Sequence, residues 1–519
     1  MKKLWIILIL CLCLVLAACN QAAPDTTEGT DPAGQENTAD GQCVQHVDQQ
    51  NDGRCDVCDV IVVVSVDLFG INDLHGKVDD GENHPGVDEL TTYLKREMEL
   101  NDHVVLLSVG DMWQGAAESN LTHGLIVTDW MNAMGFESMT MGNHEYDWGS
   151  EPILTNYEQA EFPFLAINVY DRSTDSRVEY CQPSTVVERG GIQIGIIGAI
   201  GDCYSSIASD KVSDVYFKTG SELTRLVKAE SERLRSEGVD YIVYVLHDGY
   251  EQSTGNSATA VHGGQLDYYY DIELSDGYVD LVFEGHTHQR YILKDEHGVY
   301  HLQNGGDNKG ITHAEISVNT ANGKTKTRFT ELVATGTYAN MEDDPLVDEL
   351  LEKYDAQVSV AKEVLGTNAA QRSSWELCQI AAQLYYEKGL ELWGEEYDIV
   401  LGGGFFSVRS PYELPAGDVT YGQLQTLFPF DNNLVLCSIK GRDLQSKFFE
   451  TDNDRYYIAY GEYGEQVRKN IDPNGTYYIV VDSYTSPYAP NRLTEIARLE
   501  DAIFARDLLA EYIKQGGME

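Results

Sequence analysis

Five short motifs in this 519-residue chain bring together side chains able to hold divalent cations. They supply Asp73 and His75 in NDLHG, Asp111 in GDMWQG, Asn143 and His144 in GNHEYDWG, His247 in VLHDGY, and His286 and His288 in GHTHQ. Carboxylate, imidazole and carboxamide ligands with no thiolate among them suit Mn, Zn, Fe, Co and similar ions. Three or four such groups could not complete two coordination shells; the full set can, if Asp111 bridges. A lone Asp-x-His says little, GDMWQG by itself reads as a turn, and a histidine pair after DLVFE reads equally as a surface loop. GNHEYD is more specific, because Asn, His, Glu and Asp follow an apolar strand with Gly142 at its end. Their joint appearance, each beside an apolar run, leaves little room for coincidence.

The elements that must position these groups are legible as periodicity. The runs IVVVSVDLFGI, HVVLLSV, SMTM, FPFLAIN, IQIGIIGAI, DYIVYVL and VDLVF have strand length and composition. Helix patterns such as LTTYLKREMEL and SELTRLVKAESERLRSEG lie between them, and the alternation predicts α/β layers. In such folds functional side chains gather where strands end and loops begin. DDPLVDELLEKYDAQVSVAKEVLG (343–366) reads as one amphipathic helix ending on a glycine and places the domain junction there. Beyond it, WELCQIAAQLYYEKGLELW, YDIVLGGG, LVLCSI and TYYIVVDSY suffice for a second α/β domain. Residues 249–278, with three consecutive tyrosines, form a long segment of the kind that serves as a lid or binding edge, or packs locally.

In sequence and order the five motifs resemble those of the calcineurin-like metallophosphoesterases, and among them the bacterial 5′-nucleotidase / 2′,3′-cyclic-nucleotide phosphodiesterase family. The resemblance covers about residues 61–335 strongly and the C-terminal half more weakly. It implies that Asp73, His75, Asp111 and His288 bind one metal ion, and Asp111, Asn143, His247 and His286 a second. It also implies that His144 and Asp147 form a catalytic pair; the alternative for Asp147 is an N-cap or turn carboxylate. Two divalent ions would lower the pKa of a bridging water, whose hydroxide attacks phosphorus in line. A cationic His144 would stabilise the developing charge or protonate the leaving oxygen, with Asp147 orienting its ring.

The same resemblance points to a nucleoside pocket in the C-terminal half. Phe430 and Asn432 fall in its Pro-Phe-x-Asn turn, and Tyr484 stands where relatives have a second aromatic, so Phe430 and Tyr484 would sandwich a base. The alternative is that both rings are core or turn packing. Arg409 would supply a bidentate fork to phosphate or carboxylate, although it is displaced from its usual motif, here Gly402-Gly403-Gly404-Phe405-Phe406. Ser486-Pro487-Tyr488-Ala489-Pro490 replaces a Gly-Gly-Asp-Gly, and Cys378-Gln379 an early Gly-Asn pair. The hydrolytic motifs are complete while the selectivity pocket has changed.

The chain's beginning carries different chemistry. MKKLWIILILCLCLVLAAC has the three regions of a secretory signal and resembles a lipobox, which implies cleavage before Cys19 and diacylation of that residue. Residues 20–42 lack large apolar side chains and read as a disordered tether. Next, Cys43, His46, Cys55 and Cys58 have the Cys-x2-His and Cys-x2-Cys spacing of a small zinc site. The interleaved Asp48, Asn51, Asp52, Gly53 and Asp56 resemble a calcium loop instead, and a metal-free disulfide loop is a third reading. Cys181, Cys203, Cys378 and Cys437 are scattered, as disulfides or buried thiols.

Composition bounds the rest. With 84 acidic against 36 basic residues, a formal charge of −48 speaks against nucleic-acid polymers and against charge-driven membrane binding. The expected fold is α/β: a metallophosphoesterase β-sandwich flanked by helices, then a 5′-nucleotidase-type α/β domain. The expected division is 1–19 signal, 20–42 tether, 43–59 Cys/His/Asp motif, 60–340 phosphoesterase domain, 341–366 linker helix and 367–519 substrate domain. The expected activity is extracytoplasmic hydrolysis of nucleotide esters by a lipid-anchored enzyme, monomeric by default. Alternatives are a cyclic-nucleotide phosphodiesterase, a nucleotide-sugar hydrolase, or a surface lipoprotein that binds ligand without turnover. The last has no use for both His144 and Asp147.

Overall fold

The computed structural model describes residues 46–519 apart from 81–84, 250–273, 407, 410, 451–455, 489–490 and 500–503. The signal, the tether, Cys19 and Cys43 lie outside these residues, as does 250–273 of the long segment before GHTHQ.

The apolar runs become strands. β1 (Val63–Ile71), β2 (Val104–Ser108), β3 (Ser138–Thr140) and β4 (Phe164–Leu165) pair in parallel. β5 (Ser184–Arg189), β6 (Ile192–Ile200), β7 (Tyr241–His247), β8 (Leu281–Glu284), β9 (Tyr291–Lys294) and β10 (Tyr300–Gln303) form a second sheet ordered β9-β10-β8-β7-β6-β5. β11 (Gly310–Asn319) and β12 (Lys324–Ala334) return as an antiparallel hairpin beside β1, so the first sheet runs β12-β11-β1-β2-β3-β4.

Alternate residues of the two sheets interdigitate: Val66, Leu68, Val105 and Leu107 meet Ile194, Ile196, Val243, Val245 and Phe283, all fully buried. Each such side chain contributes roughly 1.5–3 kcal/mol by leaving water. The opposite face of the first sheet, through Phe69, Ile71 and Leu106, packs on α1 (Asp88–Leu100) and α2 (Leu125–Met134). Burial on both faces is why β2 reads as an unbroken apolar run. α3 (Ser221–Ser236) covers the outer face of the second sheet through Leu223, Val227 and Leu234. This is the sandwich flanked by helices that the motifs imply.

The stretch 343–366 differs from the single helix expected. α4 (Pro345–Lys353) is capped by Asp344, which accepts from the Leu346 N–H at 3.0 Å, and it ends at Tyr354, whose buried hydroxyl reaches Asp129 at 2.6 Å. Two short helical turns follow, and Val364–Asn368 is a strand paired with Gly417–Thr420. Gly366 therefore ends no helix; a Cβ there would lie 2.8 Å from the Ile513 carbonyl oxygen. Strand-favouring Val364 and Thr367, together with this pairing, override the amphipathic pattern.

In the C-terminal half α5 (Ser374–Trp393) opens with a capping box between Ser373 and Glu376. The chain continues through β13 (Ile399–Gly404), α6 (Tyr421–Leu427), β14 (Leu434–Lys440), β15 (Tyr457–Ala459), β16 (Thr476–Asp482), β17 (Thr494–Arg498) and α7 (Ala505–Lys514). Its sheet runs β15-β13-β16-β14-β17, with one buried apolar cluster on each face. Cys181, Cys203, Cys378 and Cys437 are buried free thiols. Among the described residues no helix is long and apolar enough to cross a membrane.

Candidate metal centre and adjoining cleft

Each metal-type motif begins where a parallel strand ends. β1 leads to Asp73 and His75, β2 to Asp111, β3 to Asn143 and His144, and β8 to His286 and His288, while His247 closes β7. The turns are tight enough to force Asp73, His75, Asp111, His286 and His288 into the left-handed region, at φ of 52°, 50°, 54°, 67° and 52°. For residues other than glycine such backbone costs about 1–3 kcal/mol each and concentrates at functional sites.

The side chains converge around Asp111, which is 1% exposed. On one side, the Nε2 atoms of His75 and His288 are 3.0 Å apart, and His288 Nε2 is 3.3 Å from Asp73 Oδ1. On the other, His247 Nε2 lies 3.1 Å from Asp111 Oδ2 and 3.2 Å from Asn143 Oδ1. The His286 ring is 5.7 Å from that of His247, and its backbone N–H donates to Asp73. His75 Nδ1 donates to the Gln114 carbonyl at 2.9 Å and His247 Nδ1 to that of Val109 at 2.7 Å. A carbonyl only accepts, so both rings carry a proton on Nδ1 and turn Nε2 inward. Burial opposes ionisation of Asp111, but His247 and His144 outweigh it and hold its carboxyl well below the usual range. At Asp73, His288 likewise outweighs burial and lowers the pKa. Two buried carboxylates facing inward-turned imidazole Nε2 atoms are a donor set suited to divalent cations. Cys203 lies near His247 and His286, but it donates to the His247 carbonyl, and burial pushes its thiol well above the usual range.

The catalytic-type pair is formed. His144 Nδ1 is 2.6 Å from Asp147 Oδ2, and the His144 N–H donates to Asp111 Oδ1 at 2.8 Å. Asp147 is not an N-cap: the helix that follows, Ser150–Gln159, has Gly149 in that position. One residue absent from the expected set stands behind this arrangement. Buried Glu145 accepts from the N–H groups of Asp111 (2.9 Å), Met112 (2.8 Å), Trp113 (3.3 Å) and Gly142 (2.6 Å), tying the loop after β2 to the loop after β3. Burial and the neighbouring Asp111 push its carboxyl up to about 7. Glu145 stands inside GNHEYD, but only the fold reveals that it faces backbone rather than metal.

The C-terminal half supplies the other wall. Arg409 Nη2 reaches to 3.3 Å from His144 Nε2 and 3.3 Å from His75 Nδ1. The Phe430 ring is 6.0 Å from that of His144, and the Arg409 guanidinium carbon 5.9 Å from the Phe430 centroid. Asn432 and Tyr484 line the same cavity, together with Phe405. Tyr484 stacks on Phe405 at 5.9 Å, so the aromatic wall includes a ring the motif comparison leaves out. Arg506, buried and also unforeseen, donates to the carbonyls of Phe428 (3.2 Å) and Phe430 (3.4 Å) and pairs with Asp431, fixing the turn that presents Phe430.

Residues 68–290 match the calcineurin-like phosphoesterase family, and residues 368–460 match the 5′-nucleotidase C-terminal domain. The chain carries both domains. It is a metal-dependent phosphoric ester hydrolase. Protein UshA of Yersinia enterocolitica is 23% identical over 460 residues, 80% of each chain. A 5′-nucleotidase of Vibrio vulnificus is 23% identical over 403 residues, 69% of each chain. In fold, the structure is similar to a 5′-nucleotidase precursor from Thermus thermophilus, with a TM-score of 0.64 and 19% identity over 87% of this chain and 96% of that one. The phosphoesterase match ends just after His288, the last of the converging residues.

Proposed function

We propose that the chain hydrolyses nucleotide phosphate esters, 5′-nucleotidase fashion, to nucleoside and phosphate. The observation that carries this is Arg409: a guanidinium from the C-terminal half lies within 3.3 Å of His144, next to Phe430. A phosphate clamp and an aromatic surface for a base thus adjoin the metal-type cluster. In this reading Asp73, His75, Asp111 and His288 hold one divalent ion and Asp111, Asn143, His247 and His286 the other. Two such ions would lower the pKa of water and polarise phosphoryl oxygens. Asp147 holds His144 so that Nε2 faces the cleft, where it can donate to charge developing on the phosphoryl group or leaving oxygen. Arg409 offers parallel N–H donors to the phosphate. Phe430, Tyr484 and Asn432 bind the nucleoside, with Phe405 widening the aromatic surface. Residues 60–340 form the catalytic unit and 367–519 the substrate unit; the broken helix makes 341–366 a mixed connection rather than a linker helix. The enzyme acts outside the cytoplasm, held to the membrane by lipid on Cys19.

A phosphate-release screen tests the reading, with manganese, cobalt or zinc supplied and nucleoside monophosphates, cyclic nucleotides and nucleotide sugars as substrates. Highest kcat/KM on a nucleoside 5′-monophosphate is expected. Tight nucleotide binding without release under every metal would instead make the protein a ligand carrier.

A further inference from the structure

Residues 46–62 form a small nodule at the end of the sandwich away from the metal centre. Val63 opens β1 and pairs with Asn319, whereas the centre begins beyond Ile71 at the other end of the strand. At about 3.3 Å per residue the two sites are separated by roughly 25 Å of β1. Asp48 docks the nodule: it is 3% exposed, its Oδ2 accepts from Asn319 Nδ2 at 2.6 Å and its carbonyl from Asn322 Nδ2 at 3.1 Å.

Three soft ligands meet there. A ring nitrogen of His46 and the sulfurs of Cys55 and Cys58 all lie within 4.8 Å of one another, and His46 Nδ1 is 3.5 Å from Cys58 Sγ. A tetrahedral zinc ion with bonds of about 2.3 Å to sulfur and 2.0–2.1 Å to nitrogen has an S···N edge of about 3.5 Å. Backbone N–H groups of Val47, Val57 and Cys58 are directed at the Cys55 sulfur. The carboxylates do not make the competing calcium cage. Asp48 Oδ1 accepts from Asp52 N (3.1 Å) and Oδ2 from Gly53 N (2.9 Å), Asp52 Oδ1 from Arg54 N (3.0 Å), and Asp56 from Gln49 N (2.7 Å) and Gln50 Nε2 (3.2 Å). Oxygens engaged with N–H donors in this way do not converge on a cation that needs six to eight of them.

We propose that His46, Cys55 and Cys58 hold a structural zinc ion that fixes where the chain enters the phosphoesterase domain. The site is separate from the hydrolytic centre and takes no part in its chemistry.

Cobalt(II) titration of the metal-free full chain tests this, because thiolate ligation gives a near-ultraviolet charge-transfer band that carboxylate and imidazole ligands do not. The band is expected to reach the amplitude of one thiolate-bound cobalt per chain, to survive Cys203→Ser, and to vanish in Cys55→Ser and Cys58→Ser. Manganese-dependent phosphate release should stay at the parent level in the last two variants. In the unmodified chain, zinc but not calcium should protect Cys55 and Cys58 from alkylation, a readout that does not depend on the variants folding. No thiolate band in the parent, a band that persists in Cys55→Ser, protection by calcium, or a disulfide involving Cys55 or Cys58 would each overturn the proposal.

Discussion

Asp111 and His144 touch the same carboxylate–imidazole cluster, yet their proposed tasks separate cleanly. Asp111 stands between the two halves of the cluster, so Asp111→Asn is expected to lose bound metal and activity together. His144 approaches Asp111 through its backbone N–H and, at 3.9 Å, through its Nε2, and its ring lies 5.2 Å from that of His75. His144→Asn should therefore retain metal while losing activity by a factor of about 10²–10⁴, the range for a positioned acid–base group. Metal analysis beside phosphate release distinguishes the two; equal depletion would remove the role given to His144. Farther back, His301 is fully buried between Glu284 (3.1 Å) and Asp295 (3.3 Å). Burial pulls its pKa down, but Asp295 and Glu284 outweigh that and push it up to about 9. A folded pKa above the unfolded value stabilises fully below about pH 6.5, and the contribution fades as pH rises through about 9; its ceiling is of order 3 kcal/mol. The urea midpoint should fall across that window, and His301→Gln should lower the midpoint at pH 6.5 and flatten the slope. The metal-type residues are legible in sequence because metal chemistry restricts both their types and their place after a strand. Glu145, Arg506 and Phe405 are not, since a carboxylate that accepts from loop N–H groups, a buried arginine and a stacked ring leave no spacing signal.

Among the elements, strands carry the clearest signal and connections the weakest. β2, β6, β7 and β8 are largely apolar on both faces because helices or a second sheet cover each side, and that doubled burial appears directly as apolar runs. α4 shows the opposite case. Its amphipathic pattern continues into 355–366, but Tyr354 turns inward to Asp129 and Val364–Asn368 finds a strand partner in Gly417–Thr420. Neither contact is visible within the segment itself. The triple glycine of β13 has a packing reason that composition hides: a Cβ on Gly402 would lie 2.3 Å from the Tyr386 backbone nitrogen and 2.4 Å from its Cα. Gly402→Ala is expected to push α5 off the sheet and destabilise the C-terminal half by about 1–3 kcal/mol or more. Calorimetry should show a lowered transition, with KM for nucleotide raised more than metal affinity is reduced.

For the molecule as a whole, the site lies where the two halves meet. Asn120 Nδ2 donates to the Gln425 carbonyl at 3.0 Å and Arg498 pairs with Asp210 at 2.8 Å, while Arg409 reaches His144 across the same boundary. The formal charge of −48 surrounds the cleft into which the proposed function brings an anion, so approach would be opposed at long range even though the proposed cations and Arg409 would receive the phosphate locally. Screening shortens from about 30 Å at 0.01 M salt to about 8 Å at 0.15 M. kcat/KM for a nucleoside monophosphate should therefore rise severalfold over that range while kcat changes little; a fall would mean that attraction dominates the approach. The central claim, a two-ion hydrolytic centre bridged by Asp111, is tested most directly by titrating metal-free protein with manganese while recording electron paramagnetic resonance and phosphate release from a nucleoside monophosphate. Activity should appear with the second equivalent, together with the signal of a coupled pair, and both should be absent in Asp111→Asn. Full activity at one equivalent, or without added metal, would contradict it.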